Sequence, residues 1–331
     1  SLGSTGYTVS CLGFGASALG GVFHDVKDEE CIEVVHTALK KGVNVIDSAP
    51  WYGQGKSELM LGKALKGVPR QAYMLNTKVG RYEQAVEEMF DFSAERVTRS
   101  VDESLGRMGV DYIDCIQVHD MEFAPNLDII IEQTLPALDK LRAAGKVKLI
   151  GITTYALEPF RYVLDRTKVK VDVVLSYCRA TLIDSSLDGL KPYLNEKGVG
   201  LINAAATSMG LLTHEGPPIW HPASADIKAA CAEARGMCSE ASVDLTRLAI
   251  RTSLDDPSLP TTLVSAAKVA YIQANLRHAV EPLSASEREV LERIKNNVFG
   301  PRGNMQWEGV EVNGYWVKLG KKLQVKRLYE R

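Results

Sequence analysis

Eight times along a chain of 331 residues, a short apolar run is followed by a longer stretch with helical spacing. No other feature constrains the fold as strongly. Neighbouring parallel strands need a crossover of a dozen or more residues, and a helix is the usual one. The apolar runs span 11–17, 43–49, 72–80, 111–119, 147–153, 171–177, 199–205 and 261–267. Between and after them the spacing predicts helices over 28–42, 57–67, 93–109, 127–146, 157–167, 186–198, 225–241, 244–254 and 270–280. In the first of these Cys31, Val34, Val35, Ala38 and Leu39 share one face, and Gly42 stops the helix. Ser93, three residues before Arg96, is the expected N-cap of the third helix. Pro136 interrupts the fourth. Eight such units over about 280 residues suggest an α/β fold, either a closed parallel barrel or a doubly wound sheet. A further helix over 284–299, with a serine at its cap, completes a single unit of residues 1–299. The tail, 300–331, differs: it carries Trp307, Trp316 and several lysines with no clear period.

Hydrophobic residues make up 45% of the chain and charged residues 24%, the balance of a protein that buries a core. Lys and Arg number 39 against 41 Asp and Glu, a net charge of −2, which offers no basic surplus for nucleic acid. No run reaches the ~18 apolar residues of a membrane helix, and no signal peptide opens the sequence. A cytoplasmic protein with neither a membrane nor a nucleic-acid partner is expected. The six cysteines form no C-x-x-C pair, so reduced thiols are expected, with Cys11 and Cys115 acting as small hydrophobes in their apolar runs.

Two glycine-rich stretches mimic nucleotide-binding motifs. Gly13, Gly15 and Ala18 fit G-x-G-x-x-[GA] after a strand, but a dinucleotide fingerprint needs a helix to open there. The chain runs instead through Leu19, Gly20, Gly21, Val22 and Phe23, with no helical period before Asp28. Residues 53–57 read GQGKS, like the end of a P-loop, but Pro50 stands where the first glycine belongs.

The chemistry gathers at the C-terminal ends of the early strands. In a (β/α)8 barrel the catalytic groups sit there, because the βα loops converge on one mouth. Asp47 ends the second strand and Tyr52 lies in its loop; Lys78 ends the third and His119 the fourth. A phenol with a pKa near ~10 is a poor acid–base catalyst at neutral pH. An ammonium beside it stabilises the phenolate, and Asp47 can hold Lys78 in that place. Tyr52 can then exchange a proton with a carbonyl or alcohol oxygen that His119 orients. A cofactor supplies the hydride, so the scheme needs no metal.

These residues carry a family resemblance. The segment GVNVIDSAPWYGQGKSELMLGKAL resembles the aldo-keto reductase signature around its Asp and Tyr. NTKVG and IQVHD resemble that family's Lys and His strands, and STGYTVSCLGFGAS its opening hairpin and first strand. Within the superfamily the resemblance is strongest to the L-galactose dehydrogenase-like group, through FDFSAERV, VHDMEF, LSYCRATLIDSS and GLLTHEGPPIWHPAS. The resemblance implies a (β/α)8 TIM barrel with an N-terminal hairpin, a C-terminal helix and a tail. It implies NAD(P)(H) as cofactor and no metal, and it gives Asp47, Tyr52, Lys78 and His119 the catalytic roles. Thr153 and Thr154 fall where the family holds the nicotinamide amide, in place of its usual Ser and Asn. Ser176 falls near a common glutamine. Ala204 replaces a tyrosine that stacks on the nicotinamide. The loop 207–224, with Met209, Gly210 and Leu211, corresponds to the stretch that passes over the pyrophosphate, where backbone N–H groups can bind phosphate.

Around the adenosine end, Ser265 falls at a usual lysine, Tyr271 at a usual arginine and Ala266 at a serine. Gln273 and Asn275 remain for the adenine. The lost charges argue for NAD(H). Lys268, with Arg277 about one turn later, argues the other way. Trp51, Arg81, Tyr82, Tyr155 and Tyr177 are the candidates to line a substrate pocket, and such polar aromatics suit a sugar or a small carbonyl compound. The alternative is a binding or regulatory subunit that turns over slowly and docks a partner through its tail.

Overall fold

The structure, a computed structural model, describes residues 1–21 and 26–329, with side chains through Lys322. Val22 and Phe23 lie outside the described residues. Strand β1 (Leu12–Gly15) leads through a short 3-10 turn to helix α1 (Asp28–Lys40). Then follow β2 (Val45–Asp47), α2 (Lys56–Leu65), β3 (Met74–Val79), α3 (Ala94–Met108), β4 (Ile113–Val118) and α4 (Leu135–Ala143). The second half runs β5 (Val147–Thr154), α5 (Glu158–Arg166), β6 (Val173–Tyr177), α6 (Lys191–Glu196) and β7 (Gly200–Ala204). Helices α7 (Ala225–Glu240) and α8 (Leu245–Leu254) precede β8 (Thr261–Ser265), and α9 (Val269–Val280), α10 (Ala285–Ile294) and α11 (Val310–Tyr329) end the chain. All strands are parallel and close in sequence order, with β1 paired to both β2 and β8. Of the two architectures open to the pattern, this is the closed barrel.

Local chemistry explains most of the boundaries. On α1 the buried side chains are Cys31, Val34, Val35 and Ala38. Ser93 caps α3 by accepting from the Arg96 N–H at 3.3 Å, and Gly109 ends that helix in the left-handed region at φ 64°. Pro136 opens α4 directly after a π-helical turn, Ile130–Thr134, in one continuous helical run; lacking an N–H, it interrupts the regular i→i−4 ladder there.

The barrel interior sets the site. Leu2, Val45, Met74, Cys115, Leu149, Val173, Leu175, Ile202 and Leu263 fill it. Side chains alternate along a strand with period two. The same period that puts Val45 in this core puts Asp47 one step nearer the mouth. From Met74 it leads to Asn76 and Lys78, and from Cys115 to Gln117 and His119.

Four expectations change. The opening segment forms a turn, with the Leu2 N–H donating to the Tyr7 carbonyl at 3.0 Å, rather than a two-stranded hairpin; Leu2, fully buried, plugs the barrel floor. Cys11 is exposed, unlike Cys115, because β1 starts one residue later. The helix expected over 186–198 opens as a 3-10 turn, Ser186–Gly189, before α6. The tail is helical over α11 despite Gly314 and Gly320, held by packing rather than by a clean amphipathic period. Among the described residues no helix is long and apolar enough to cross a membrane.

Candidate active site

The strand ends bring the four predicted side chains together. Lys78 Nζ pairs with Asp47 Oδ1. It also donates to the Ser48 carbonyl at 2.8 Å and to the Tyr52 hydroxyl at 3.4 Å. The rings of Tyr52 and His119 meet edge to face, 5.9 Å between centroids. Asp47, Lys78 and His119 are all buried.

Residues outside the predicted set hold this arrangement. Gln117 Nε2 donates to Asp47 Oδ2 at 2.6 Å, so both carboxylate oxygens of Asp47 are bound. The alternation in β4, Cys115–Gln117–His119, was the sequence signal that could have found it. Tyr52 sits in a turn whose backbone presses against the β1 loop. A Cβ on Gly20 would stand 2.5 Å from the Tyr52 carbonyl oxygen, and one on Gly53 2.2 Å from that of Gly20. The Ser57 hydroxyl ties the same turn to the Ala16 carbonyl at 2.7 Å. Beside His119, Asp120 Oδ2 lies 3.6 Å from its Nε2 and accepts from Arg81 Nη1 at 2.7 Å. The Arg81 guanidinium stacks on Trp51 at 4.2 Å.

Burial dominates the electrostatics. It raises the Tyr52 phenol above its ordinary value; Lys78 pulls the other way without prevailing. The sequence argument expected the ammonium to win. The phenol is therefore held protonated. Lys78 would be lowered by burial, but Asp47 and Tyr52 outweigh this and keep it charged. Burial, helped by Lys78 and Arg81, drives the His119 imidazole down to about 3 against the pull of Asp120. His119 is thus a neutral hydrogen-bonding group, and its Nδ1 has no partner.

The remaining candidates divide. Trp51 and Arg81 pack together beside Asp120. Tyr82 is buried, its hydroxyl accepts from the Gly80 N–H at 2.8 Å, and Arg96 covers its ring at 3.6 Å. It packs the β3–α3 loop. Tyr155 and Tyr177 line a cavity with the tail. Thr153 is occupied, accepting from the Asp120 N–H at 2.9 Å. Thr154 and Ser176 stand side by side in register, each with a buried hydroxyl that makes no hydrogen bond of good geometry, that of Thr154 lying beside the Glu122 carboxyl. Next across, beside Ala204, Asn203 Oδ1 is also unpartnered.

A match to known proteins fits this geometry. Residues 11–296 match the model of the aldo/keto reductase family. The chain belongs to that family. L-galactose dehydrogenase of Arabidopsis thaliana is 44% identical over 94% of this chain and 98% of its own length. D-arabinose 1-dehydrogenase of Saccharomyces cerevisiae is 29% identical over 91% and 93%. Among solved structures, aldo-keto reductase AKR11C1 from Bacillus halodurans superposes with a TM-score of 0.70 at 27% identity, covering 88% of this chain and 94% of that one.

This aldo-keto reductase is an oxidoreductase enzyme of a family that uses NAD(P)(H), and its residues fit such a cofactor. After β7, Ala205, Ser208 and Met209 are left-handed at φ 56°, 50° and 55°, with Gly210 at 98°. Within this run the Ser208 and Gly210 N–H groups donate to the Ala205 and Thr207 carbonyls at 2.8 and 3.2 Å, and the Ser208 hydroxyl is buried without a partner. Arg235 pins the loop through the Leu211 and Thr213 carbonyls. Leu211 itself is in the core, and its N–H donates to the Ser208 carbonyl at 3.3 Å, so neither its side chain nor its backbone is free for a cofactor. Ser265 receives the Ala18 N–H at 3.0 Å, and Ala266 is buried. Lys268 caps α9, on which Gln273 is exposed and Asn275 buried.

The Gly20–Tyr52 contact generates a test. Gly20→Ala pushes backbone against backbone, and a displacement of about 1 Å can cost on the order of 100-fold. We expect kcat to fall by roughly 10- to 100-fold with cofactor affinity retained. Full activity in that variant would show that the contact does not position Tyr52.

Proposed function

We propose that this aldo-keto reductase exchanges hydride between NAD(H) and a sugar or small carbonyl compound, with Tyr52 as general acid and base. The favoured reaction is oxidation of an aldose at its anomeric carbon. The observation that carries the proton-transfer role is the 3.4 Å approach of Lys78 Nζ to the Tyr52 hydroxyl, with Lys78 itself anchored on Asp47. The substrate class is supported by the relatives, named for L-galactose and D-arabinose.

When bound, the nicotinamide supplies or accepts the hydride. In reduction Tyr52 gives its proton to the carbonyl oxygen, and Lys78 stabilises the phenolate left behind. In oxidation the phenolate takes the proton from the hydroxyl at the reacting carbon. A cyclic hemiacetal then loses H⁻ and H⁺ and becomes a lactone. His119, being neutral, fixes the substrate oxygen by a hydrogen bond without competing for its proton. Ser176, with Thr154 beside it, offers an unpartnered hydroxyl for the amide of the cofactor, and the buried Ser208 hydroxyl a donor for its phosphates.

The NAD(H) preference rests on the adenosine end. A 2′-phosphate needs cationic donors. Ser265 already serves the β1 loop, and Tyr271 is half exposed. Lys268 Nζ lies 5.5 Å over the Tyr271 ring. Arg277, expected about one turn later, is in the last turn of α9, some ~13 Å along the helix axis from Lys268 at 1.5 Å per residue. The two cannot share one phosphate.

Three outcomes test this reading. Tyr52→Phe keeps the ring and loses the proton; we expect turnover to drop at least about 100-fold while the cofactor still binds. Near-normal turnover would remove Tyr52 from the role. Lys78→Met removes the one attraction that lowers the phenol, so the alkaline rise in the oxidation rate should move to higher pH; an unchanged profile with good activity contradicts the coupling. Comparing kcat/KM for both cofactors should show NADH used at least as well as NADPH. A preference for NADPH beyond about tenfold, worth ~1.4 kcal/mol, would mean that the phosphate is recognised, and Lys268→Ala should then erase most of it.

A further inference from the structure

On the β4–β6 side of the mouth lies a cavity of about 200 Å³, lined among others by Glu122, Phe123, Tyr155, Tyr177, Trp307 and Glu311. Its inner wall belongs to the barrel and its outer wall to the tail. Trp307 stacks on Tyr155, 5.0 Å between centroids at 16°, and its backbone N–H donates to the Tyr155 hydroxyl at 3.0 Å. Tyr315 of α11 packs edge to face against Phe90 and Phe123. The tail thus carries Glu311 to the mouth.

The polar groups of this cavity are poorly satisfied. Glu122 uses Oε1 to accept from the Tyr155 N–H at 2.7 Å; its buried Oε2 makes no hydrogen bond of good geometry, although the Thr154 hydroxyl stands close enough to lower the carboxyl. The indole Nε1 of Trp307, on a side chain only 3% exposed, makes no hydrogen bond of good geometry either. Burial and Asp120 push Glu122 up to about 8, so that at neutral pH it can donate as well as accept. Burial, then Asp120, also raises Glu311. Glu122 lies three residues beyond His119 after β4, and Tyr155 and Tyr177 stand at the ends of β5 and β6, so the cavity adjoins the reacting centre.

An apolar guest would leave these donors and acceptors unpaired; a hydroxylated one satisfies them. Flat aromatic walls suit the C–H faces of the same guest, and its hydroxyl edges reach the carboxyls. We propose that this cavity is the subsite for substrate hydroxyls remote from the reacting carbon, with Glu122 and Glu311 binding them and the Trp307 N–H adding a donor. The proposal rests on the reading of Tyr52 as proton donor to a carbonyl at the neighbouring centre. It deepens that reading by selecting polyhydroxylated substrates over plain aldehydes of the same length.

The test compares kcat/KM for reduction of the four aldotetroses and of butanal, which have equal chain length with and without hydroxyls. The wild type should prefer at least one tetrose. Glu311→Met and Glu122→Met keep the side-chain volume and lose the acceptors; each should lower the tetrose-to-butanal ratio at least tenfold, mainly through KM. Trp307→Phe keeps a ring without the N–H and should lower the ratio less. A wild type without preference overturns the proposal. So does a ratio within twofold of wild type in Glu311→Met, whether activity is kept or lost equally on both substrates. If Glu122→Met fails to fold, Glu311→Met decides. Wild type that reduces tetroses but forms no NADH from aldoses would sink aldose oxidation and leave the subsite standing; wild type that reduces neither substrate sinks both.

Discussion

The buried pair Lys78–Asp47 is the interaction on which the site depends. Each residue is only 2% exposed, and taking two such charges out of water costs several kcal/mol per ion. The pair persists because its remaining valences are filled. Gln117 binds the second carboxylate oxygen, and the Ser48 carbonyl takes another ammonium proton. Those partners come from β2, β3 and β4, so the register of three strands is tied to one ion pair. A hydrophobic pair of equal volume would stabilise the barrel at least as well. What it would not supply is a fixed positive charge 3.4 Å from a phenol.

That charge works against the burial of the same phenol. Burial raises the proton affinity of Tyr52, and Lys78 offsets part of the rise. The outcome is a phenol that stays protonated and still has a cation waiting for its conjugate base. The neighbouring imidazole follows the same rule with the opposite sign: burial lowers it and so leaves it uncharged. One desolvated pocket thus yields a neutral phenol, a neutral imidazole and a permanent cation.

The barrel and the tetrad were legible in the sequence because each rests on a short-range period. Strand and helix alternation fixed the architecture, and period two carried Asp47, Lys78 and His119 to one rim. Cys11, the opening turn and Tyr82 were misread for a common reason: their fates depend on contacts distant in sequence. Tyr82 is an aromatic after a catalytic strand, as a pocket residue would be. Only the placement of Arg96, a turn into α3, turns it into packing. Gly20 and Gly53 were equally opaque, since their use is a backbone approach between two loops. Gln117 was within reach of the strand alternation.

The tail shows how much of a site can lie beyond periodic pattern. Residues 300–331 have no amphipathic signature, and their tryptophans suggested a docking segment. Trp307 is instead consumed internally: it stacks on Tyr155, meets His221 edge to face at 4.8 Å, and is almost fully buried. His221 in turn binds the Ser208 carbonyl at 3.0 Å in the loop after β7. One indole therefore links the wall of the cavity to the left-handed segment after β7. A barrel mouth is open by construction, and its first four strands supply chemistry without enclosing a substrate. The outer wall of the cavity comes from tail residues such as Trp307 and Glu311, and α11 seats Tyr315 against Phe90 and Phe123 of the barrel loops.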